Sequence, residues 1–166
     1  MSRGFVKESD QEEPVRIPPR AALPAGEVNY VTPSGLMALQ EEEKALELEK
    51  AELNLENEDE QRRALTLING KLELLRRRIA AAHPIDPAGQ PKDEVRFGAK
   101  VTITNLANQA SQTYQIVGVD EADVKAKKIA FVSPIARALT GLWTNEVAEL
   151  KMGPRVNRFR VDRIEY

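Results

Sequence analysis

Four carboxylates lie within five consecutive residues near the middle of the chain: Glu56, Glu58, Asp59 and Glu60. Carboxylate oxygens are the ligands that magnesium prefers, and they can also orient a water for hydrolysis. A structural interpretation is equally open. Asn57 with Glu60 three residues later has the spacing of a helix capping box, and acidic side chains in a first turn are favoured by the helix dipole.

Other residue types restrict the chemistry further. The 166 residues contain no cysteine, so disulfides, thiol catalysis and zinc–thiolate sites are all excluded. His83 is the only histidine, and a histidine-based triad or a multi-histidine metal site would need more. We expect His83 in the last turn of a helix, where a positive charge suits the dipole. No intrinsic catalytic residue, bound metal or cofactor is predicted.

Charge and hydropathy indicate the compartment and the class of partner. The net charge is −2, with an acidic excess over residues 34–83 and no basic stripe, so any contact with DNA or RNA is expected only through a partner. The run of Arg76, Arg77 and Arg78 is either a solvated helix face or a contact surface. No apolar stretch is long enough for a membrane span or a secretory signal, which predicts a cytoplasmic protein. We expect a monomer.

Residues 1–30 are predicted to be a disordered arm. Pro14, Pro18, Pro19 and Pro24 stand among charged and small residues without any sustained period.

Residues 31–83 are predicted to form an antiparallel helical hairpin, or coiled coil. Thr32 is a candidate N-cap with Pro33 at the first helical position. Apolar residues recur along the first helix at Leu36, Leu39, Leu46 and Leu53, and along the second at Leu65, Ile68, Leu72, Leu75, Ile79 and Ala82. Two helices that each carry an apolar stripe, joined by a short polar stretch, bury their stripes by folding back on each other. The first would extend about 33 Å.

Residues 84–94 are predicted to be a linker, because Pro84 and Pro87 end the helix. Residues 95–166 have the pattern of an antiparallel sheet with one short helix at 134–139, which makes the fold class α+β. The predicted strands cover 95–97, 100–104, 113–119, 128–132, 146–150 and 159–165.

Four sequence runs of this second region identify a family. They are VRFGAKV at 95–101, YQIVGVDEAD at 114–123, VSPIARALTG at 132–141 and FRVDRIEY at 159–166. In order, spacing and residue type they resemble the C-terminal domain of the bacterial transcript cleavage factors GreA and GreB. The resemblance implies an FKBP-like arrangement of sheet and helix. It also implies that Ser133, Pro134, Ile135 and Arg137 face RNA polymerase. A structural interpretation stands beside this one, in which Ser133 caps the short helix and Ile135 helps to pack it on the sheet, and the two roles can coexist.

The same resemblance implies how such a protein would act. The sheet domain docks at the rim of the polymerase secondary channel, and the coiled coil carries acidic residues inward to complete the polymerase's magnesium site, where backtracked RNA is hydrolysed. Glu56, Asn57 and Asp59 match the family's tip pattern, whereas Leu53 replaces an Asp and Glu60 replaces a Tyr.

The first helix is also several turns shorter than in those factors, a difference of tens of ångströms. We therefore expect a polymerase-binding elongation regulator without efficient transcript cleavage, and not an enzyme in its own right. Magnesium of the polymerase active site is implied only if the tip is functional.

Three alternatives stay open. The chain is an active factor that stimulates cleavage of backtracked RNA, or a helical-hairpin adaptor with a partner other than polymerase. The third, a prolyl isomerase, rests on the implied fold alone. It would need a cluster of aromatic side chains, and several of those in the second half are expected in the core.

Overall fold

The computed structural model describes residues 12–166, which contain three α-helices and seven strands. In chain order they are β1 (Asn29–Val31), α1 (Pro33–Glu52), α2 (Glu58–Ala80), β2 (Ala82–Pro84), β3 (Lys100–Asn105), β4 (Ser111–Val117), β5 (Lys128–Ala130), α3 (Pro134–Leu139), β6 (Val147–Met152) and β7 (Arg155–Glu165). No helix in this part of the chain is long and apolar enough to span a membrane.

The helical hairpin forms as its caps and stripes predict. The Thr32 side chain accepts a hydrogen bond from the Gly35 N–H at 3.0 Å, with Pro33 at the start of α1. Both helices bury their apolar stripes against each other, with Leu39 and Leu46 from α1 and Ile68, Leu72 and Leu75 from α2 forming the buried centre. The 20 residues of α1 extend about 30 Å at 1.5 Å per residue.

A two-stranded parallel sheet of β1 and β2 closes the base of the hairpin. It was not predicted, because three-residue strands carry no readable period. Since α2 ends at Ala80, His83 lies in β2 and not in the last turn of a helix, so that prediction is wrong. The His83 ring instead meets Tyr30 edge-on, with 5.8 Å between centroids.

The second half is a five-stranded sheet in the order β5-β4-β3-β7-β6. Its pairs are antiparallel except for β4 with β5, which run parallel. Helix α3 lies where it was predicted and buries Ala136 and Leu139 in the core of the sheet domain. The α+β fold class, with a helical hairpin followed by a curled sheet and one short helix, is confirmed.

Residues 95–97 do not form the predicted strand. Gly98 turns the chain with φ +89°, which ends any extension after Phe97. Val95 is fully buried, and its backbone pairs with the loop after α3 through the N–H of Gly141 and the carbonyl of Leu142. Its apolar character therefore reflects burial in the core and not membership of the sheet.

Residues 12–28 lie against the hairpin as an extended segment, which differs from the disordered arm predicted for residues 1–30. Ile17 occupies the space above Gly70, where a Cβ would overlap with the isoleucine side chain. Gly70, a residue type that is unfavourable inside a helix, thus leaves the room that Ile17 fills. The rest of the predicted arm, residues 1–11, lies outside the described residues.

Candidate functional site

The acidic tip of the hairpin is shaped by two polar side chains. Asn57 is the N-cap of α2 and accepts hydrogen bonds from the N–H groups of Asp59 and Glu60 at 2.9 and 3.1 Å. Gln61 fixes the preceding loop: its side chain accepts from the Leu55 N–H at 2.8 Å and donates to the Leu53 carbonyl at 3.2 Å. The cap was predicted from Asn57, but the role of Gln61 was not.

The four tip carboxylates are all exposed. Asp59 pairs with Arg62 one turn later at 3.1 Å, an exposed contact that contributes little to stability. Among residues 12–166, no three acidic or histidine side chains converge to hold a metal ion. The chemistry open to Glu56, Glu58, Asp59 and Glu60 is to offer oxygen ligands to an ion or a water that another molecule holds.

The predicted docking residues divide into two groups at the start of α3. The Ser133 hydroxyl accepts from the Ala136 N–H at 3.3 Å and caps the helix, and Ile135 is half-buried against the core of the sheet domain. Pro134 and Arg137 are exposed. Of the four predicted docking residues, only these last two are exposed.

Arg137 is held from both sides. Its Nε donates to the Val132 carbonyl at 2.9 Å, and one terminal nitrogen lies 3.0 Å from a carboxylate oxygen of Glu27. The arginine side chain nevertheless keeps 54% of its surface exposed. Its position is therefore fixed while much of the guanidinium stays accessible.

A cavity of about 550 Å³ opens beside Arg137, between the hairpin base and the sheet domain. Tyr30, Phe97 and Phe131 line it, and their ring centroids lie 5.5 to 5.8 Å apart in edge-on or tilted pairs. Such aromatic walls accept an apolar side chain and stabilise it by contact area. The sequence did not predict the cluster, because Tyr30 belongs to the hairpin half and reaches it only through β1.

The junction between the hairpin and the sheet domain contains a nearly buried cluster of charges. Arg20 lies 2.9 Å from one oxygen of Asp120, and Arg78 lies 3.4 Å from the other. Arg20 also makes a two-bond contact with Glu42 of α1, and this hydrogen bonding raises the pKa of Arg20 above its ordinary value. The cluster joins the N-terminal segment, both helices and the turn after β4.

The arginine run of α2 has three separate environments. Arg76 pairs with Glu43 and Glu47 across the hairpin, at 2.7 and 2.5 Å. Arg77 pairs with Glu73 within α2. Arg78 belongs to the junction cluster and is mostly buried. The three arginines therefore do not form the single solvated face or contact surface that was predicted.

Comparison with known proteins finds relatives of the second half of the chain. A family model described as "Transcription elongation factor, GreA/GreB, C-term" matches residues 90–166. A transcription elongation factor GreA from Trichlorobacter lovleyi is 36% identical over 99 residues, which cover 60% of this chain and 63% of the relative. One from Hyphomonas neptunium is 41% identical over 101 residues, which cover 61% and 64%. The chain thus spans somewhat less than two thirds of the length of these relatives.

Among solved structures, the GreA/GreB elongation factor from Nitrosomonas europaea is similar with a TM-score of 0.42 and 20% sequence identity. The match covers 84% of this chain and 99% of that one.

Proposed function

We propose that the chain, whose residues 90–166 match the GreA/GreB C-terminal family model, is a member of that family, binds RNA polymerase through the start of α3 and regulates transcript elongation at the secondary channel. Its relatives are named transcription elongation factors. A polymerase partner would place the protein in the cytoplasm and bring it to nucleic acid only indirectly.

The observation that carries this proposal is the exposed pair of Pro134 and Arg137 beside the aromatic cavity. An arginine with accessible donors recognises a carboxylate, and an adjacent apolar cavity takes up a neighbouring side chain. The exposed pair lies on the element that carries the family sequence VSPIARALTG, and Val132, Arg137 and Thr140 of the same run line part of the cavity. A partner surface that presents one acidic and one apolar side chain would satisfy them together.

We further propose that the protein does not stimulate RNA cleavage efficiently. Helix α1 has only 20 residues, so the tip carboxylates lie about 30 Å from the hairpin base. Leu53, at the position of the family's leading acid, packs half-buried against the hairpin core and supplies no metal ligand. A carboxylate must come within hydrogen-bond reach of its target to act on it.

Binding is tested by co-purification of the full chain with core RNA polymerase. The double variant Pro134→Ala with Arg137→Ala is expected to lose at least tenfold in affinity, because it removes both exposed contacts. Arg158→Ala is the matched control: this arginine lies in the same domain on β7, is similarly exposed and pairs with Glu149. Unchanged association of the double variant would contradict the proposal.

A second candidate function, stimulated cleavage of backtracked RNA, is favoured by the exposure of Glu56 and Asp59 at the tip. Any magnesium in that reaction would belong to the polymerase active site. We expect the RNA of a stalled, backtracked complex to keep its length when the protein is added. Shortening of the RNA that Glu56→Ala with Asp59→Ala abolishes would instead establish the second candidate.

A further inference from the structure

The N-terminal residues 12–27, termed the strap, follow α2 from its tip end to its base. Arg62 pairs with Glu12 at 3.0 Å, Arg63 donates to the Glu13 carbonyl at 2.8 Å, and Arg78 donates to the Ala21 carbonyl at 2.6 Å. The helix rises about 24 Å between Arg62 and Arg78, and the matching part of the strap reaches that distance only as a nearly extended chain. The strap therefore has a defined course along the hairpin.

Arg20 anchors the strap where the hairpin meets the sheet domain. Its guanidinium bonds Glu42 of α1 and Asp120 of the sheet domain, and only 18% of the arginine side chain is exposed. Seven residues later the strap reaches the docking element. The position of the strap beside the docking element thus depends on the nearly buried contact of Arg20 with Asp120 and not on surface charges alone.

A tight turn directs the end of the strap toward α3. The Glu27 N–H bonds the Pro24 carbonyl at 3.1 Å, and Gly26 between them has φ +83°, a conformation that favours glycine. The turn places the Glu27 carboxylate 3.0 Å from Arg137, at the rim of the aromatic cavity.

We propose that the strap is an autoinhibitory element, in which Glu27 occupies the Arg137 guanidinium until polymerase displaces it. This inference rests on the proposed function, because it assigns Arg137 to the polymerase contact. The carboxylate of Glu27 occupies one terminal nitrogen of Arg137 and places a negative charge where an acidic side chain of the partner would approach. The two carboxylates therefore compete for the guanidinium, and the intramolecular contact lowers the apparent affinity of the partner.

The size of the effect follows from the exposure of the pair. Arg137 is 54% and Glu27 35% exposed, so their ion pair competes only modestly with water. Releasing it is expected to tighten polymerase binding about two- to fivefold at low salt. The gain should shrink as salt screens the pair.

The test compares the full-length wild type, Glu27→Gln and Glu149→Gln in titrations against core RNA polymerase at low and high salt. Glu149 pairs with Arg158 at 3.2 Å on the same domain with similar exposure, so its variant controls for a lost surface charge. We expect Glu27→Gln to bind more tightly than wild type at low salt and Glu149→Gln to bind like wild type. Equal or weaker binding by Glu27→Gln would overturn the inference.

Two further measurements separate this failure from failure of the proposed function. If Arg137→Ala binds polymerase as wild type does, the proposed function fails; if Arg137→Ala weakens binding while Glu27→Gln changes nothing, only the autoinhibition fails. Without polymerase, modification of Arg137 by phenylglyoxal, followed by peptide mass spectrometry, should be faster in Glu27→Gln. An unchanged rate would also overturn the inference.

Discussion

Arg20 Nε lies 2.9 Å from Oδ1 of Asp120, a contact that spans 100 residues of sequence and joins the N-terminal segment to the sheet domain. The Asp120 side chain is only 8% exposed, and Arg78 approaches its other oxygen. The carboxylate of Asp120 therefore pairs with two arginines, Arg20 and Arg78, that are both mostly buried. The orientation of the hairpin on the sheet domain depends on this arrangement.

Asp120→Asn is expected to lower the free energy of unfolding by about 2 to 3 kcal/mol, because it leaves the mostly buried Arg78 without its countercharge and removes one of the two countercharges of Arg20. Urea unfolding followed by circular dichroism measures the change. Glu149→Gln, which disrupts an exposed pair, should change the free energy by less than about 1 kcal/mol. Equal effects of the two variants would show that the junction cluster is not buried in solution.

Gly70→Ala should reveal the contact between α2 and the N-terminal segment. Alanine favours a helix by about 1 kcal/mol over glycine, but a Cβ at Gly70 would overlap with Ile17. We expect the substitution to stabilise the protein by about 1 kcal/mol in an Ile17→Ala background and by clearly less in the wild type. Thermal unfolding of the four proteins in this double-mutant cycle gives the coupling. Additive effects would place Ile17 elsewhere.

Much of the fold could be predicted from the sequence, because its signals are local. The Thr32, Asn57 and Ser133 caps, the α2 stripe and the Pro134–Leu139 helix each depend on residues a few positions apart. Asn145 adopts a left-handed conformation with φ +72°, which asparagine tolerates better than most residues.

The parts that could not be predicted depend on distant segments. Tyr30 meets Phe131 across 101 positions, and Glu27 meets Arg137 across 110. A single sequence carries no signal for such pairings. The arginines of α2 illustrate the same limit. Arg76 and Arg78 look alike in sequence, but Arg76 is 52% exposed, whereas Arg78 is 14% exposed between Asp120 and the Ala21 carbonyl.

Gly118→Ala tests how closely the hairpin base approaches the sheet. A Cβ at this position would lie 2.6 Å from the Tyr30 carbonyl oxygen, and neither backbone can move without disturbing β1. We expect a loss of about 2 kcal/mol in the free energy of unfolding, as for other overpacked sites. Gly89→Ala is the control, because nothing lies within 4 Å of its added methyl group. A neutral Gly118→Ala would mean that the hairpin base is farther from the sheet.

Tyr166 gives a pH-dependent prediction. Its hydroxyl donates to the Glu94 carbonyl at 2.5 Å and accepts from the Arg96 N–H at 2.7 Å, and burial raises the pKa of Tyr166. The folded protein thus holds the phenol proton more tightly than the unfolded chain does. Its contribution is complete below the ordinary tyrosine pKa of about 10 and is lost as the pH rises through the folded-state value.

Tyr166→Phe should therefore be less stable than wild type by about 1 kcal/mol at pH 7, and the difference should shrink above about pH 10. Urea unfolding of both proteins between pH 7 and pH 11 measures it. Because the comparison is between two proteins, titration of Tyr30 and Tyr114 cancels. A difference that does not depend on pH would indicate that the phenol is not buried in these hydrogen bonds.

Site-directed crosslinking tests the central claim most directly, and a chain without cysteine makes it feasible. A photoreactive group attached at Pro134→Cys should crosslink core RNA polymerase at the rim of its secondary channel. The same group at Glu149→Cys, an exposed position on β6, should not. Equal crosslinking from both positions, or none from position 134, would contradict docking through the start of α3.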